Sequence, residues 1–300
     1  MVDLTAPSNR VHLDTKAALL DRLSAGEAAL VRLLGVSNYL ACITVAERER
    51  AAGRLLVGDD AAARFPSLCH DLAVSCVRAP FRMLSIPSPV EGTDHCARFV
   101  ADVNGHGRVI FHVGITQTFA EGAQLAETHG EHAITGRLFG YPDCCVCSFA
   151  AGPRPSLDLL PASIPSTGPF PLEMNPVIPH LYGVSFLFHF ACSPWCAASS
   201  TLLRTRRRFL ERLAPPAAAF AQLGRGIALY GPEIGICLVT EFDRIAPDQY
   251  RVRAVVTASP TTARVFAEGG DPVLRLLSPH SFTLGGRLFD DPRQFAARFE

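Results

Sequence analysis

Hydrophobic positions along the 300-residue chain follow a helical period at first and a strand period after about residue 80. Leu19, Leu20, Leu23, Ala29, Leu30, Leu33 and Leu34 recur at helical spacing, and alternating charge from Ala46 to Leu56 extends the pattern. Residues 13–55 therefore predict two or three helices, a helical layer. From Phe81 to Thr116 the runs FRMLSI, CARFVADV and RVIFHVGI read as strands of a small antiparallel sheet, with Asn104-Gly105 as a hairpin turn. Phe119 to Gly136 returns to helical character.

The next stretch, residues 151–180, carries so many prolines that it predicts a loop or an extended wrap over the surface. A helix is expected from Pro194 to about Leu213, stopped by Pro215-Pro216, then a short helix over Ala217–Leu223. Beyond it GICLVTEF, QYRVRAVVTA and SFTLGGRLF predict a second set of strands. The fold class that follows is α+β: a helical N-terminal layer, small antiparallel sheets and central helices bearing a cysteine cluster. Three regions are expected, 1–75, 76–223 and 224–300, which one domain can also contain.

Composition narrows the function. A 48% hydrophobic content supplies a sizeable core, and a formal net charge of zero gives no global pull toward nucleic acid or an anionic membrane. The balance points to a small-molecule partner. Lys16 is the only lysine, which removes a Schiff-base or P-loop lysine from any central role. The start MVDLTAPSNR lacks the features of a secretory signal, and the most apolar stretch, Gly183–Cys192, is too short to span a bilayer, so a cytoplasmic protein is expected. In a reducing compartment, clustered cysteines read as metal ligands or redox thiols, and scattered ones such as Cys42, Cys69, Cys76, Cys96 and Cys237 as small core hydrophobes.

Two segments share one construction, a proline opening a helix with cysteines in its first turn. Pro142 precedes Cys144, Cys145 and Cys147; Ser193-Pro194 lies between Cys192 and Cys196, with Ser193 expected at the N-cap and Cys196 at the third helical position. Unpaired N–H groups at a helix N-terminus favour thiolate over thiol, and thiolate is both the metal ligand and the nucleophile. His189, three residues before Cys192, completes a candidate metal set of Cys144, Cys145, His189, Cys192 and Cys196. His189, Tyr141 and Asn175 are the candidate catalytic residues. Thiolate-rich ligation suits iron, an iron–sulfur cluster or, alternatively, zinc, and disfavours magnesium and calcium. The run Arg204, Arg206, Arg207, Arg208 and Arg212 reads as a solvated helix face.

The combination LFGYPDCCVCSF, then Asn175-Pro176, then HFACSPWCAAS resembles an uncharacterised family of archaeal and bacterial proteins marked by a Gly-Tyr-Pro-x-Cys-Cys segment and a His-x-x-Cys-Ser-x-x-Cys segment. The similarity spans roughly residues 110–200. It places Gly140, Tyr141, Pro142, Cys144, Cys145, His189, Cys192, Ser193, Cys196 and Ser199 on the motif and leaves Cys147 as an extra. The resemblance implies a shared site rather than a named reaction. Three functions are expected from these residues: a metal-dependent enzyme acting on a small molecule, a zinc-stapled non-catalytic module binding protein or RNA, or a metal-free thiol redox protein.

Overall fold

A computed structural model describes residues 25–86, 90–91, 96–101, 106–151, 164–182, 189–213, 224–268 and 272–300. The expected helical positions 13–24, the Asn104-Gly105 turn and the Ala217–Leu223 helix lie outside them. The described residues form an α+β fold with two antiparallel sheets.

The first helix, α1 (Ala25–Ala46), is broken at Gly35, whose φ of 76° and ψ of 170° leave the helical region. The chain then departs from expectation. Ala52–Val57, read as helical, is strand β1, paired antiparallel with Val109–Gly114. Its helical propensity is a weak preference, and a full ladder along an apolar partner strand outweighs it. Two short helices follow, α2 (Asp59–Ala62) and α3 (Phe65–Asp71). Strands β2 (Ser75–Ile86), β3 (Cys96–Ala101) and β4 (Arg108–Gly114) complete a four-stranded sheet of order β1-β4-β2-β3.

Strand β4 is buried on both faces, which is why RVIFHVG is apolar nearly throughout. Val109, Phe111 and Val113 face α1 and α3, while Ile110 and His112 face the other side. That side is covered by helix α4 (Gln117–Thr128), whose Glu127 carboxylate reaches His112 Nε2 at 2.8 Å and Arg54 at 2.6 Å. The helical stretch expected over 119–136 is divided between two helices, α4 and α5 (His132–Leu138). Gly130, with φ +70°, ends the first in a Schellman turn: Gly130 N–H donates to Glu127 O and Glu131 N–H to Ala126 O.

Helix α6 (Asp143–Ala151), a short 3-10 turn at Leu172–Met174, α7 (Ile178–Tyr182) and α8 (Ala197–Leu213) carry the middle of the chain. The remainder builds a seven-stranded antiparallel sheet from β5 (Gly226–Gly231), β6 (Gly235–Ala246), β7 (Gln249–Thr257), β8 (Val273–Ser278), β9 (Ser281–Leu284), β10 (Arg287–Asp290) and β11 (Phe295–Phe299), in the order β10-β9-β8-β7-β6-β5-β11. Helix α9 (Pro260–Glu268) packs on β6 and β7. One face of this sheet holds Ile227, Leu229, Val239, Phe282 and Phe289 in a core of its own.

The opposite face, with Ala228, Tyr230, Leu238, Phe295 and Phe299, shares a core with α1 and with Leu55, Phe65 and Phe111 of the first half. Ile164, Phe170, Val177, Ile178 and Leu181 of the proline-rich segment are part of that core. The segment is thus anchored by apolar side chains and by main-chain bonds: Phe170 N–H donates to Arg298 O at 2.9 Å and Glu300 N–H to Phe170 O at 2.9 Å. Apolar packing therefore runs across the boundaries expected near residues 75 and 223. Cys42, Cys69 and Cys237 are core residues, and burial pushes the Cys42 thiol up to about 12.

Phe299 is fully buried against Phe170, ring centroids 5.5 Å apart. Phe299→Ala should lower the unfolding free energy by about 3–5 kcal/mol in urea titration, because its cavity opens where the proline-rich segment meets β11.

Candidate metal centre

The chain reaches the first cysteine pair through a helix end that demands glycine. Gly140, with φ +69°, closes α5: its N–H donates to Arg137 O and the Tyr141 N–H to Gly136 O, both at 3.0 Å. Pro142 cannot continue that helix and caps the next, its carbonyl accepting from the N–H groups of Cys145 and Val146 at 2.9 and 3.0 Å. Gly-Tyr-Pro is thus a helix stop followed at once by a helix start. Pro142 stands one position earlier than expected, and Cys144 and Cys145 occupy the second and third positions of α6.

The second segment differs in the same direction. Helix α8 begins at Ala197, not Pro194. Residues 193–196 form a turn closed by Cys196 N–H on Ser193 O at 3.0 Å, and Cys196 itself is the N-cap, its carbonyl accepting from Ser200 N–H at 2.9 Å. Its sulfur takes the role of a capping side chain by accepting from Ser199 N–H at 3.4 Å.

These two helix starts bring four sulfurs together. Cys196 Sγ lies 3.6 Å from both Cys144 Sγ and Cys145 Sγ, which are 3.9 Å apart. With Cys192, all four Sγ atoms fall within 4.8 Å of one another. A tetrahedral ion bound at the zinc–thiolate distance of about 2.3 Å sets its sulfurs about 3.8 Å apart, so the donor set fits one metal ion. Cys145 and Cys196 are buried, while Cys144 and Cys192 are exposed. Cys147 is exposed on the same helix, outside the group.

The sulfurs are held unequally. Burial works against ionising Cys196, but the Ser199 hydroxyl and N–H and the thiols of Cys144 and Cys145 outweigh it, bringing Cys196 down to about 6. Cys145 is shifted up, first by burial, and Cys192 is shifted up by desolvation and by the sulfurs of Cys196, Cys145 and Cys144. Cys192 N–H also donates to Cys145 Sγ at 3.4 Å.

His189 stands beside the sulfurs rather than among them. Its Nε2 is 2.8 Å from Ser199 Oγ, and Ser199 Oγ is 3.2 Å from Cys145 Sγ, so one hydroxyl joins imidazole and thiol. The ring stacks on Tyr141 at 4.9 Å, and burial together with Arg206 pushes the imidazole down to about 4, leaving it neutral near pH 7. Among the described residues its buried Nδ1 has no hydrogen-bond partner. Tyr141 is therefore brought to the site. Asn175 is committed elsewhere: Nδ2 donates to Gly224 O at 2.9 Å and Oδ1 accepts from Val177 N–H at 3.2 Å, an Asx turn in which both ends of the amide serve the main chain.

Sequence reasoning missed Arg206. On α8 it lies seven residues after Ser199 and three after the fully buried Leu203, a spacing that puts all three on one face, and it is 3% exposed where a solvated face was expected. Arg50, at the end of the α1–β1 turn and also buried, donates to Ala41 O at 2.6 Å, and its Cβ packs where a Gly140 side chain would begin.

No protein-family model, curated protein or solved structure matches the chain. Among the described residues no helix is long and apolar enough to cross a membrane.

Two outcomes follow from this geometry. Gly140→Ala should cost about 1–2 kcal/mol for the left-handed backbone alone, more with the clash against Arg50, and should displace Tyr141, read as lower thermal stability and weaker metal retention. Metal uptake near pH 7 should release two or more protons, since Cys145 and Cys192 enter as thiols; calorimetry in buffers of different ionisation enthalpy counts them, and affinity should fall as pH falls.

Proposed function

We propose that the four sulfurs hold a single tetrahedral metal ion and that the centre belongs to an enzyme acting on a small molecule, with His189 as an acid–base group beside the ion. The observation that carries the metal reading is the mutual approach of four thiols from segments about fifty residues apart to tetrahedral spacing. A polynuclear cluster sets its thiolates on different irons and needs them further apart, so a mononuclear iron or zinc ion suits the spacing better than an iron–sulfur cluster. The two segments that converge are also those in which the chain resembles the Gly-Tyr-Pro-x-Cys-Cys family, which we take as a sign that the centre is that family's shared site.

The enzymatic part of the reading rests on His189. A neutral imidazole hydrogen-bonded through Ser199 to a ligand sulfur, with its second nitrogen unpartnered among the described residues and an aromatic ring stacked on it, is more than a clamp requires. A bound ion would supply Lewis acidity or a redox couple at the sulfurs, and the exposed edge at Cys144 and Cys192 leaves it approachable.

A zinc staple without catalysis is the second reading, favoured by one observation: the protein supplies four donors, the closed set of structural zinc sites. Metal analysis and a visible spectrum of anaerobically purified protein separate the two. Cys145→Ala and Cys196→Ala should each abolish tight binding, whereas His189→Ala should keep one ion per chain with affinity weakened by roughly 10–100-fold, as expected for a group acting on the ligands indirectly. Iron with thiolate charge-transfer bands supports a redox enzyme. One inert zinc whose removal by chelator unfolds the protein supports the staple. Loss of the metal in His189→Ala to the same degree as in the cysteine variants would make the imidazole a direct ligand.

A further inference from the structure

The four sulfurs differ in what reaches them. Cys144 and Cys192 are exposed, whereas Cys145 and Cys196 are buried. The buried pair is fastened by the main chain: Cys145 Sγ accepts from Cys192 N–H and Cys196 Sγ from Ser199 N–H, both at 3.4 Å. Cys145 Sγ also lies 3.2 Å from the Ser199 hydroxyl. Cys144 Sγ, on the solvent side, lies 3.6 Å from Cys196 Sγ and 3.9 Å from Cys145 Sγ. A small oxidant therefore meets Cys144 with a buried sulfur in contact behind it.

That contact is close to a covalent one. A disulfide sets its sulfurs about 2.05 Å apart, and rotation of the exposed Cys144 side chain toward Cys196 can close the gap. Cys145 does not compete for Cys144, because consecutive Cα atoms are about 3.8 Å apart, short of the roughly 4.4–6.8 Å that an unstrained disulfide spans. Cys192, the other exposed thiol, is placed only within the 4.8 Å that bounds the whole group. The pair the geometry favours is Cys144 with Cys196. They are 52 residues apart and stand at the starts of α6 and α8, so their bond would join the same two helix starts that an ion would hold.

We propose that the centre is a redox switch: a peroxide oxidises exposed Cys144, Cys196 captures it as a disulfide, and the ion, left with two of its four sulfurs, is released. In the first step the Cys144 thiolate attacks one peroxide oxygen; an S–O bond forms, the O–O bond breaks and hydroxide leaves. In the second the Cys196 thiolate attacks the Cys144 sulfur; the S–S bond forms, the S–O bond breaks and a second hydroxide leaves. Together the sulfurs lose two electrons and the peroxide gains them. A resolving sulfur in contact stops Cys144 at the reversible stage, and a dithiol reductant restores both thiols. The release step rests on the metal reading above, and the disulfide step needs no ion.

The test adds hydrogen peroxide in stoichiometric amounts to full-length, metal-loaded protein. Released metal is followed with a chromogenic chelator, and the crosslink is mapped by mass spectrometry of unreduced peptides. One ion should leave for each Cys144–Cys196 disulfide formed, and dithiothreitol with added metal should reload the centre. Cys144→Ser should lose the crosslink between the two helix starts. Cys147→Ser, which removes an exposed thiol outside the group, should release its metal as wild type does. A disulfide mapped to Cys147 or to Cys192–Cys196, oxidation that ends in sulfinic acid without a crosslink, or metal retained after the crosslink forms overturns the proposal. Absence of metal from untreated protein counts against the metal reading instead, and the crosslink mapped in that same sample then decides the disulfide step.

Discussion

Four sulfurs within 4.8 Å of one another are the constraint on which the middle of this protein turns. Thiolates at that distance repel one another, and a cation bound among them would relieve that repulsion. At Cys196, the N-cap, the hydrogen bonds of the Ser199 hydroxyl and N–H and of the thiols of Cys144 and Cys145 outweigh burial and favour the thiolate. Ser199 touches Cys145 through its hydroxyl and Cys196 through its N–H, and so orients two of the four sulfurs.

What delivers the sulfurs is helix-end chemistry backed by a common core. A Schellman stop at Gly140 and a restart at Pro142 set the Cys144–Cys145 turn, and the Ser193–Cys196 turn starts α8. Neither helix start would hold its place alone. The proline-rich segment between them is pinned through Phe170, Val177, Ile178 and Leu181 into the core shared by both sheets, with Trp195 Nε1 donating to Pro169 O at 3.3 Å and Phe170 packing on the Trp195 ring. The site thus draws its stiffness from the two sheets, although no sulfur of the centre comes from a strand.

Much of this was legible in the residues, and the limits of that legibility are physical. The α+β class, strands β2 to β4 and, in the second sheet, β6, β7, β9 and β10 followed from local periodicity, whereas β5, β8 and β11 did not, and the four cysteines followed from two matched Pro-initiated segments. Strand β1 did not, because AGRLLV is made a strand by its pairing with β4 rather than by its own pattern. The register of the cysteines at their helix starts was off by one position in the first segment and three in the second, since a proline preceding a helix serves as cap or turn as readily as first residue. Asn175 was read as a candidate beside the site and is consumed by main-chain bonds. Arg206 was hidden in a run of arginines, where its spacing from Ser199 and Leu203 marks it as turned inward.

If one ion sits among the four sulfurs, X-ray absorption at the metal edge should show a single shell of about four sulfurs near 2.3 Å, with no metal–metal scattering. A metal–metal distance would mean a cluster, and a mixed shell with nitrogen would place His189 on the metal; either result contradicts the centre described above.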